Sequence, residues 1–383
     1  MKLVLKREAT RARVRRGHPW VFAGEVRELA GPEFDGQALP LEDERGRFMG
    51  MGIYNSQSKI IWRRYATDQR AWNTEFFQSA LADALMNRDD EPVRRLVWSE
   101  ADHLPGLVVD QFEDVLVVQA GTRAVDGAID SIVEILQATH EPREILLRND
   151  APSRSMEGLE RYTRTVSGRP LEPFWAAIYE VAYQLDLAAA QKTGFYLDQR
   201  HEHFKISTLA PDWRVLDAFC NQGAFALHCA RAGAREVVAV DVSAEAVTQG
   251  AANAERNGLS VDFRTANVFD FLRENRKERF DLIILDPPSF APNRRSLAGA
   301  MKGYKELHLR AMEMLNRGGV LATYCCSHNV TRDLFREMIE SAALDRRREV
   351  QVLYETTQPH DHPILLNFPE SEYLKGFVLR MNH

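Results

Sequence analysis

A chain of 383 residues, 45% hydrophobic and 27% charged, is long enough for two or three domains with cores of their own. Four cysteines at no framework spacing exclude a disulfide-built secreted scaffold, and no apolar run approaches a membrane span or the core of a signal peptide. The net charge of −6 is uneven: residues 1–70 hold 14 basic and 9 acidic side chains, the remainder 35 and 46.

A reduced, cytoplasmic protein is the expectation. Its basic start, with seven basic residues and one acid in the first 16, suits an anionic partner such as nucleic acid. The competing reading is a solvated, charged strand and turn.

Residues 1–70 read as short strands punctuated by glycine: "KLVLK", "WVFAGEV", "RFMGMGIYN" and "KIIWRRYA". They predict a small β-barrel-like module. A helical stripe at 74–88 places Phe76, Phe77, Ala80, Leu81, Ala84 and Leu85 on one face. Strand-like runs follow at "RRLVWSE", "GLVVDQF", "DVLVVQA" and "EILLRND", with a helix near 125–139. Residues 71–184 are therefore expected to form a middle α/β domain.

From 185 to 383 strands and helices alternate. The strand candidates are "RVLDAF", "EVVAVDV", "VDFRTA", "FDLIILD", "GGVLATYC", "EVQVLYE" and "LKGFVLRM". This pattern predicts an α/β fold: a seven-stranded, doubly wound, mostly parallel sheet binding ligands at the carboxyl ends of its strands.

The first of these strands ends in "VLDAFCNQGAF", with Asp217 at the tip, then Phe219, Asn221 and Gly223 before a helix. Gly223 would let backbone approach a ligand where a Cβ would block it. Asp241 ends the next strand, 24 residues on, where an acid can accept hydrogen bonds from ribose hydroxyls. A dinucleotide site would carry three glycines here to seat a pyrophosphate. One glycine preceded by an acid suits a ligand with a positive amino group, such as S-adenosylmethionine. Asn267 is placed to hydrogen-bond the edge of adenine, or serves only as a turn asparagine. Val242 and Val268, next to these acid and amide positions, complete the candidate donor site. "QKTGFYLDQR" (191–200) is dense in polar and aromatic groups for a linker. Lys192, Thr193, Phe195 and Arg200 are candidates to close over the donor, with Lys192 or Arg200 near its carboxylate.

The fourth strand ends in "LIILDPPSF". Two prolines after Asp286 stiffen the loop and leave carbonyls facing out, an array suited to the amino edge of a base. Amino methyltransferases often carry an NPPY version; here the aromatic, Phe290, comes one position late, which weakens an adenine-N6 reading. The fifth strand ends in Cys325-Cys326. Alternation sends these to opposite faces, so at most one points into a given site. A thiolate there could attack C6 of a cytosine and make C5 nucleophilic. The other reading is two small buried hydrophobes.

The order and spacing of "GHPWVFAGEV", "SEADHLPGLVVDQF", "QKTGFYLDQR", "VLDAFCNQGAF", "LDPPSF", "GYKELHLRAMEML", "CSH" and "YLKGF" carry a resemblance over essentially the whole chain. It resembles the PUA-domain class I RNA methyltransferases of the ribosomal RNA large subunit methyltransferase I family, which make 5-methylcytosine in 23S rRNA. The resemblance implies an N-terminal PUA domain (1–70), a connecting α/β domain (71–184) and a Rossmann-like methyltransferase domain (185–383). It puts the nucleophile on the cysteine followed by serine, Cys326; Asp286, at the tip of the neighbouring fourth strand, is the second catalytic candidate on the strand pattern. The cofactor implied is S-adenosyl-L-methionine. The partner implied is 23S rRNA, free or partly assembled, because the target base must leave its stack. Arg11, Arg13, Arg15, Arg16, Arg63 and Arg64 would then hold phosphates. His328 stands where a small residue is expected after the Cys-Ser pair, and the DPP loop has no second cysteine. The group that removes the C5 proton is therefore open, with Tyr304 and Lys305 as candidates. "HEH" (201–203) and "HDH" (360–362) lack a complementary zinc-spaced set and are read as non-metal segments. Pairing with a second copy through the PUA and middle domains is left open.

The alternatives are a class I RNA methyltransferase acting elsewhere, such as guanine N7, and a non-catalytic RNA-binding assembly factor. A dinucleotide oxidoreductase is disfavoured by the missing glycines.

Overall fold

In the computed structural model, residues 1–6, 11–189, 194–291 and 293–382 are described. The chain forms two compact units. The first comprises Met1–Ala176, Leu185–Leu197 and His360–Ser371; the second comprises Ala177–Gln184, Asp198–Pro359 and Glu372–His383.

The first unit opens with β1 (Leu3–Val4), α1 (Arg11–Arg15), β2 (Trp20–Phe22), β3 (Ala38–Glu42), β4 (Phe48–Tyr54) and β5 (Ile60–Ala66). The five strands make one sheet in the order β1-β3-β4-β5-β2. Its core holds Leu3, Leu5, Val21, Leu41, Ile61 and Trp62, and the Trp62 indole donates to the Leu39 carbonyl (2.8 Å). The second sheet follows α2 (Thr74–Met86), which Asn73 caps by accepting the Phe76 N–H (3.0 Å). It contains β6 (Val93–Trp98), β7 (Leu107–Phe112), β8 (Val115–Ala120), β9 (Glu144–Asn149) and β10 (Tyr162–Thr165), in the order β10-β9-β8-β7-β6. Helices α3 (Arg123–Gly127), α4 (Ile129–His140) and α5 (Ser153–Met156) connect them. The late segment 360–371 packs in this unit. There Phe368 meets the Trp20 ring at 4.7 Å, His18 Nε2 meets Glu370 at 2.9 Å, and Asp361 accepts the Arg95 N–H at 3.1 Å.

After the hairpin β11 (Phe174–Ile178) and β12 (Val181–Leu185), the second unit alternates as its sequence predicts. Its strands are β13 (Arg214–Ala218), β14 (Glu236–Asp241), β15 (Asp262–Thr265), β16 (Phe280–Leu285), β17 (Leu315–Cys325), β18 (Val350–Thr357) and β19 (Lys375–Met381). Its helices are α6 (Arg200–Ser207), α7 (Ala224–Arg231), α8 (Ala244–Asn257), α9 (Val268–Glu274), α10 (Leu297–Met314) and α11 (Arg332–Asp345). The sheet runs β15-β14-β13-β16-β17-β19-β18, and only β19 is antiparallel to its neighbours. Leu282 through Leu285 are fully buried, as a central strand covered by helices on both faces requires. The strand order reverses between β13 and β16, the place where open α/β sheets bind ligands at the carboxyl ends of their strands. Among the described residues no helix is long and apolar enough to cross a membrane.

Candidate active site

Asp217 is buried at the end of β13. Its Oδ2 accepts the Ala226 N–H at 2.9 Å, in the first turn of α7, while Oδ1 is buried and has no hydrogen-bond partner among the described residues. Burial pushes its carboxyl up to about 8, helped by the charges of Asp286 and Asp241. A buried oxygen without a partner is a costly feature and marks a place for a donor or a cation.

The turn after β13 is tightly wound: Phe219, Asn221 and Gly223 all have positive φ (68°, 50° and 82°). Two of the three are not glycine, and such strain clusters at ligand sites. Asp241 holds the turn, accepting the Asn221 N–H on one carboxylate oxygen and the Ser243 N–H on the other, each at 2.9 Å. The glycine has a reason that sequence did not supply. A Cβ at 223 would stand 2.6 Å from the Phe263 ring of β15, so it is protein, beside the strained φ, that demands glycine there. Val242, beyond Asp241, is 70% exposed at the strand tips, an apolar surface for a planar ring. The Asn267 side chain caps α9, accepting from Phe269 N (3.0 Å) and Asp270 N (3.4 Å), and Val268 is buried in the core. The turn reading of Asn267 therefore describes its side-chain bonds.

Asp286 follows β16 and donates its N–H to the Ala218 carbonyl (3.4 Å), which ties the DPP loop to the tip of β13. Phe290 in that loop lies 6.5 Å from the Phe219 ring and 4.7 Å from the Tyr304 ring of α10. At the end of β17, Cys325 is buried and its thiol donates to the Tyr304 hydroxyl (3.5 Å). Cys326, the next residue, is only half-buried. Ser327 Oγ lies 2.8 Å from Ser289 Oγ and 3.1 Å from the Tyr304 hydroxyl. These hydroxyls join the DPP loop, α10 and the cysteine turn into one hydrogen-bonded unit. Burial, then the neighbouring Cys325 thiol, pushes the Tyr304 phenol far up, so it stays neutral. Lys305 turns to α11, where its ammonium meets Ser341 Oγ at 2.8 Å and Asp345 at 2.7 Å.

Sequence reasoning missed Lys375 on β19. It is buried, and its ammonium donates to the carbonyls of Ser327 (2.9 Å) and Val330 (2.8 Å), fastening the turn that follows Cys326. Its signal was a lysine inside the apolar run "YLKGFVLRM".

The remaining candidates fall elsewhere. Lys192 and Thr193 lie outside the described residues, as does the Arg11 side chain. Phe195 is buried in the first unit; Arg200 is buried on α6 of the second. Among the expected phosphate contacts, Arg63 is 15% exposed and bound to Glu100 (2.7 Å) and Glu157 (3.3 Å), and Arg64 is spent on the Gly17 carbonyl. Arg13 pairs with Glu25 (3.0 Å). Arg15 and Arg16 are exposed, Arg15 in a surface pair with Glu44 (2.9 Å). His203 of "HEH" is buried against the Phe225 ring (4.5 Å), and His362 of "HDH" meets Asp361 at 2.7 Å.

The family model described as a PUA-like domain matches residues 3–67, and the one described as an S-adenosylmethionine-dependent methyltransferase matches residues 154–357. The ribosomal RNA large subunit methyltransferase I of Photobacterium profundum is 38% identical over 380 residues, 95% of this chain and 96% of its own. That of Tolumonas auensis is 36% identical over 391 residues, 98% of each. The chain belongs to the ribosomal RNA large subunit methyltransferase I family. Its cofactor is S-adenosylmethionine. A solved candidate methyltransferase complexed with SAH shares the fold of this family member, with a TM-score of 0.85 and 22% identity over 99% of this chain and 100% of that one. The donor-site chemistry agrees: an orphaned buried carboxylate oxygen, a second carboxylate 24 residues on and an exposed apolar tip fit an amino group, a ribose and an adenine.

Proposed function

We propose that this protein methylates C5 of a cytosine in 23S rRNA through a covalent bond between Cys326 and C6. The coarser activity, S-adenosylmethionine-dependent methylation of ribosomal RNA, follows from the family. The finer reading rests on one observation: Cys326 is the cysteine left half-buried in a turn that hydroxyls bind to the DPP loop, while Cys325 is buried. Asp217, Asp241 and Val242 would hold the cofactor's amino group, ribose and adenine. Bound there, S-adenosylmethionine supplies an electrophilic methyl group.

The chain's own part begins with the Cys326 thiolate, which adds to C6 of the flipped-out base. The electron pair of the C5–C6 bond moves to C5, which becomes the carbon that accepts the methyl group. Asp286 and the carbonyls of its proline loop hold the amino edge of the ring. A base then takes the C5 proton, the C5–C6 double bond returns and the C6–S bond breaks, releasing Cys326 as thiolate.

Nucleoside mass spectrometry of unmodified 23S rRNA, incubated with S-adenosylmethionine and protein, tests this. New 5-methylcytidine is expected with the wild type and none above background with Cys326→Ala. A different methylated nucleoside, formed equally by the alanine variant, would make both cysteines structural.

A further inference from the structure

Lys375 is the only buried lysine among the described residues, at 3% exposure, and no carboxylate pairs with it. An ammonium held by two neutral carbonyls is an unbalanced buried charge, which proteins seldom keep without use. The nearby groups can be taken in turn. Arg332 of α11 and Glu372, before β19, neutralise each other at 2.7 Å. Cys325, directly across the β17–β19 pair from Lys375, donates its thiol to Tyr304 of α10, and that phenol is held neutral by burial. Cys325, Glu372 and then Cys326 each favour the charged ammonium; of the two thiols Cys326 is the half-buried one, and it lies one residue before the first carbonyl that Lys375 binds.

We infer that Lys375 is a positioning residue whose buried ammonium serves as the counter-charge of the Cys326 thiolate and holds the 326–330 turn so that the thiol ionises near neutral pH. The inference rests on the reading of Cys326 as the attacking thiol. The sign is that of any cation beside a thiol: the charged form is favoured and more thiolate is present at pH 7. Burial pushes the lysine itself down, and Cys325, the Glu372 carboxylate and Cys326 oppose that, in this order. Gly376 makes the placement possible, because a Cβ there would stand 2.7 Å from the Tyr324 ring and 2.6 Å from Thr356.

The test needs neither RNA nor cofactor. The pH profile of iodoacetamide alkylation at Cys326, read by peptide mass spectrometry, is compared for the wild type, Lys375→Gln and Lys375→Arg. Wild-type alkylation is expected to reach half its plateau below about 8.5, the value of an ordinary thiol. Glutamine keeps N–H donors for the two carbonyls and removes the charge; it should slow alkylation at pH 7 about tenfold. Arginine keeps the charge and should stay closer to the wild type than glutamine. A glutamine variant that melts normally and alkylates with the wild-type profile overturns the inference. So does a wild-type half-point at or above about 8.5, which decides the matter even where Lys375→Gln fails to fold. Because the profile is independent of methyl transfer, a failure here leaves the 5-methylcytidine assay to be judged by itself, and the reverse holds as well.

Discussion

Asp217 is a carboxyl kept at the wrong end of its ordinary range by burial, and that has two measurable consequences. Its folded pKa, about 8, lies above the unfolded value of 3.8, so the folded state binds the extra proton between those limits. Its contribution therefore turns against stability as pH rises through that window. Asp217→Asn keeps an oxygen for the Ala226 N–H and removes the ionisation. It should raise the Tm of the cofactor-free protein by about 2–4 °C at pH 8, while weakening S-adenosylmethionine binding at least about tenfold by calorimetric titration. In the wild type a positive ligand group favours the carboxylate, so affinity should fall by up to about tenfold per unit as pH drops below 8. Asp217 and Asp241 were legible in sequence because each acid ends an apolar run, and a strand tip is where such a run meets solvent or ligand. Lys375 was not, because a lysine reads as surface until the register pairs it with Cys325. Asn267 shows the opposite case: its bonds are those of a helix cap, which its position before "VFDF" already allowed.

At the scale of elements, α10 and β17 are joined by His308, whose Nδ1 lies 2.7 Å from the Tyr304 carbonyl and whose Nε2 lies 2.9 Å from Thr323 Oγ1. Burial pushes this histidine down to about 4, and His228 of α7 likewise. Each is neutral in the fold and would be charged when unfolded below 6.5, so stability is lost as pH falls from 6.5 toward 4. The slope should be about 1 kcal/mol per pH unit for each histidine in urea titrations, and His308→Gln should remove its share while costing stability at pH 7.5. The alternation of the second unit was readable because parallel strands appear as short apolar runs between helical stripes. The weaker elements were not. β10 is half-exposed, and the hairpin β11–β12 has only two strands, so neither leaves a strong apolar pattern.

On the scale of the whole molecule, the basic start of the chain was visible as composition, but composition does not distinguish an arginine that holds phosphate from one that holds the fold. Arg63 and Arg64 have internal partners, whereas Arg15 and Arg16 lie at the surface. Charge reversal at Arg15 and Arg16 should weaken binding to 23S rRNA fragments and reduce its salt slope by about 1 per lost contact, with S-adenosylmethionine affinity unchanged. Nor could sequence show that residues 360–371, placed between strands of the methyltransferase sheet, belong to the other unit. A fragment of residues 198–383 would leave Phe368 without Trp20 and His18. It should bind the hydrophobic dye ANS and melt below the full chain, and Phe368→Ser should reduce the dye signal. That excursion of the chain also sets an order of assembly. Translation delivers the N-terminal sheet early, yet Phe368 and Glu370 pack against it only later, Glu370 being made 352 residues after its partner His18. The nascent N-terminal unit thus waits, incomplete, until most of the methyltransferase sheet has been synthesised, so a product terminated before Phe368 would lack both the last contacts of its first unit and the strand that carries Lys375.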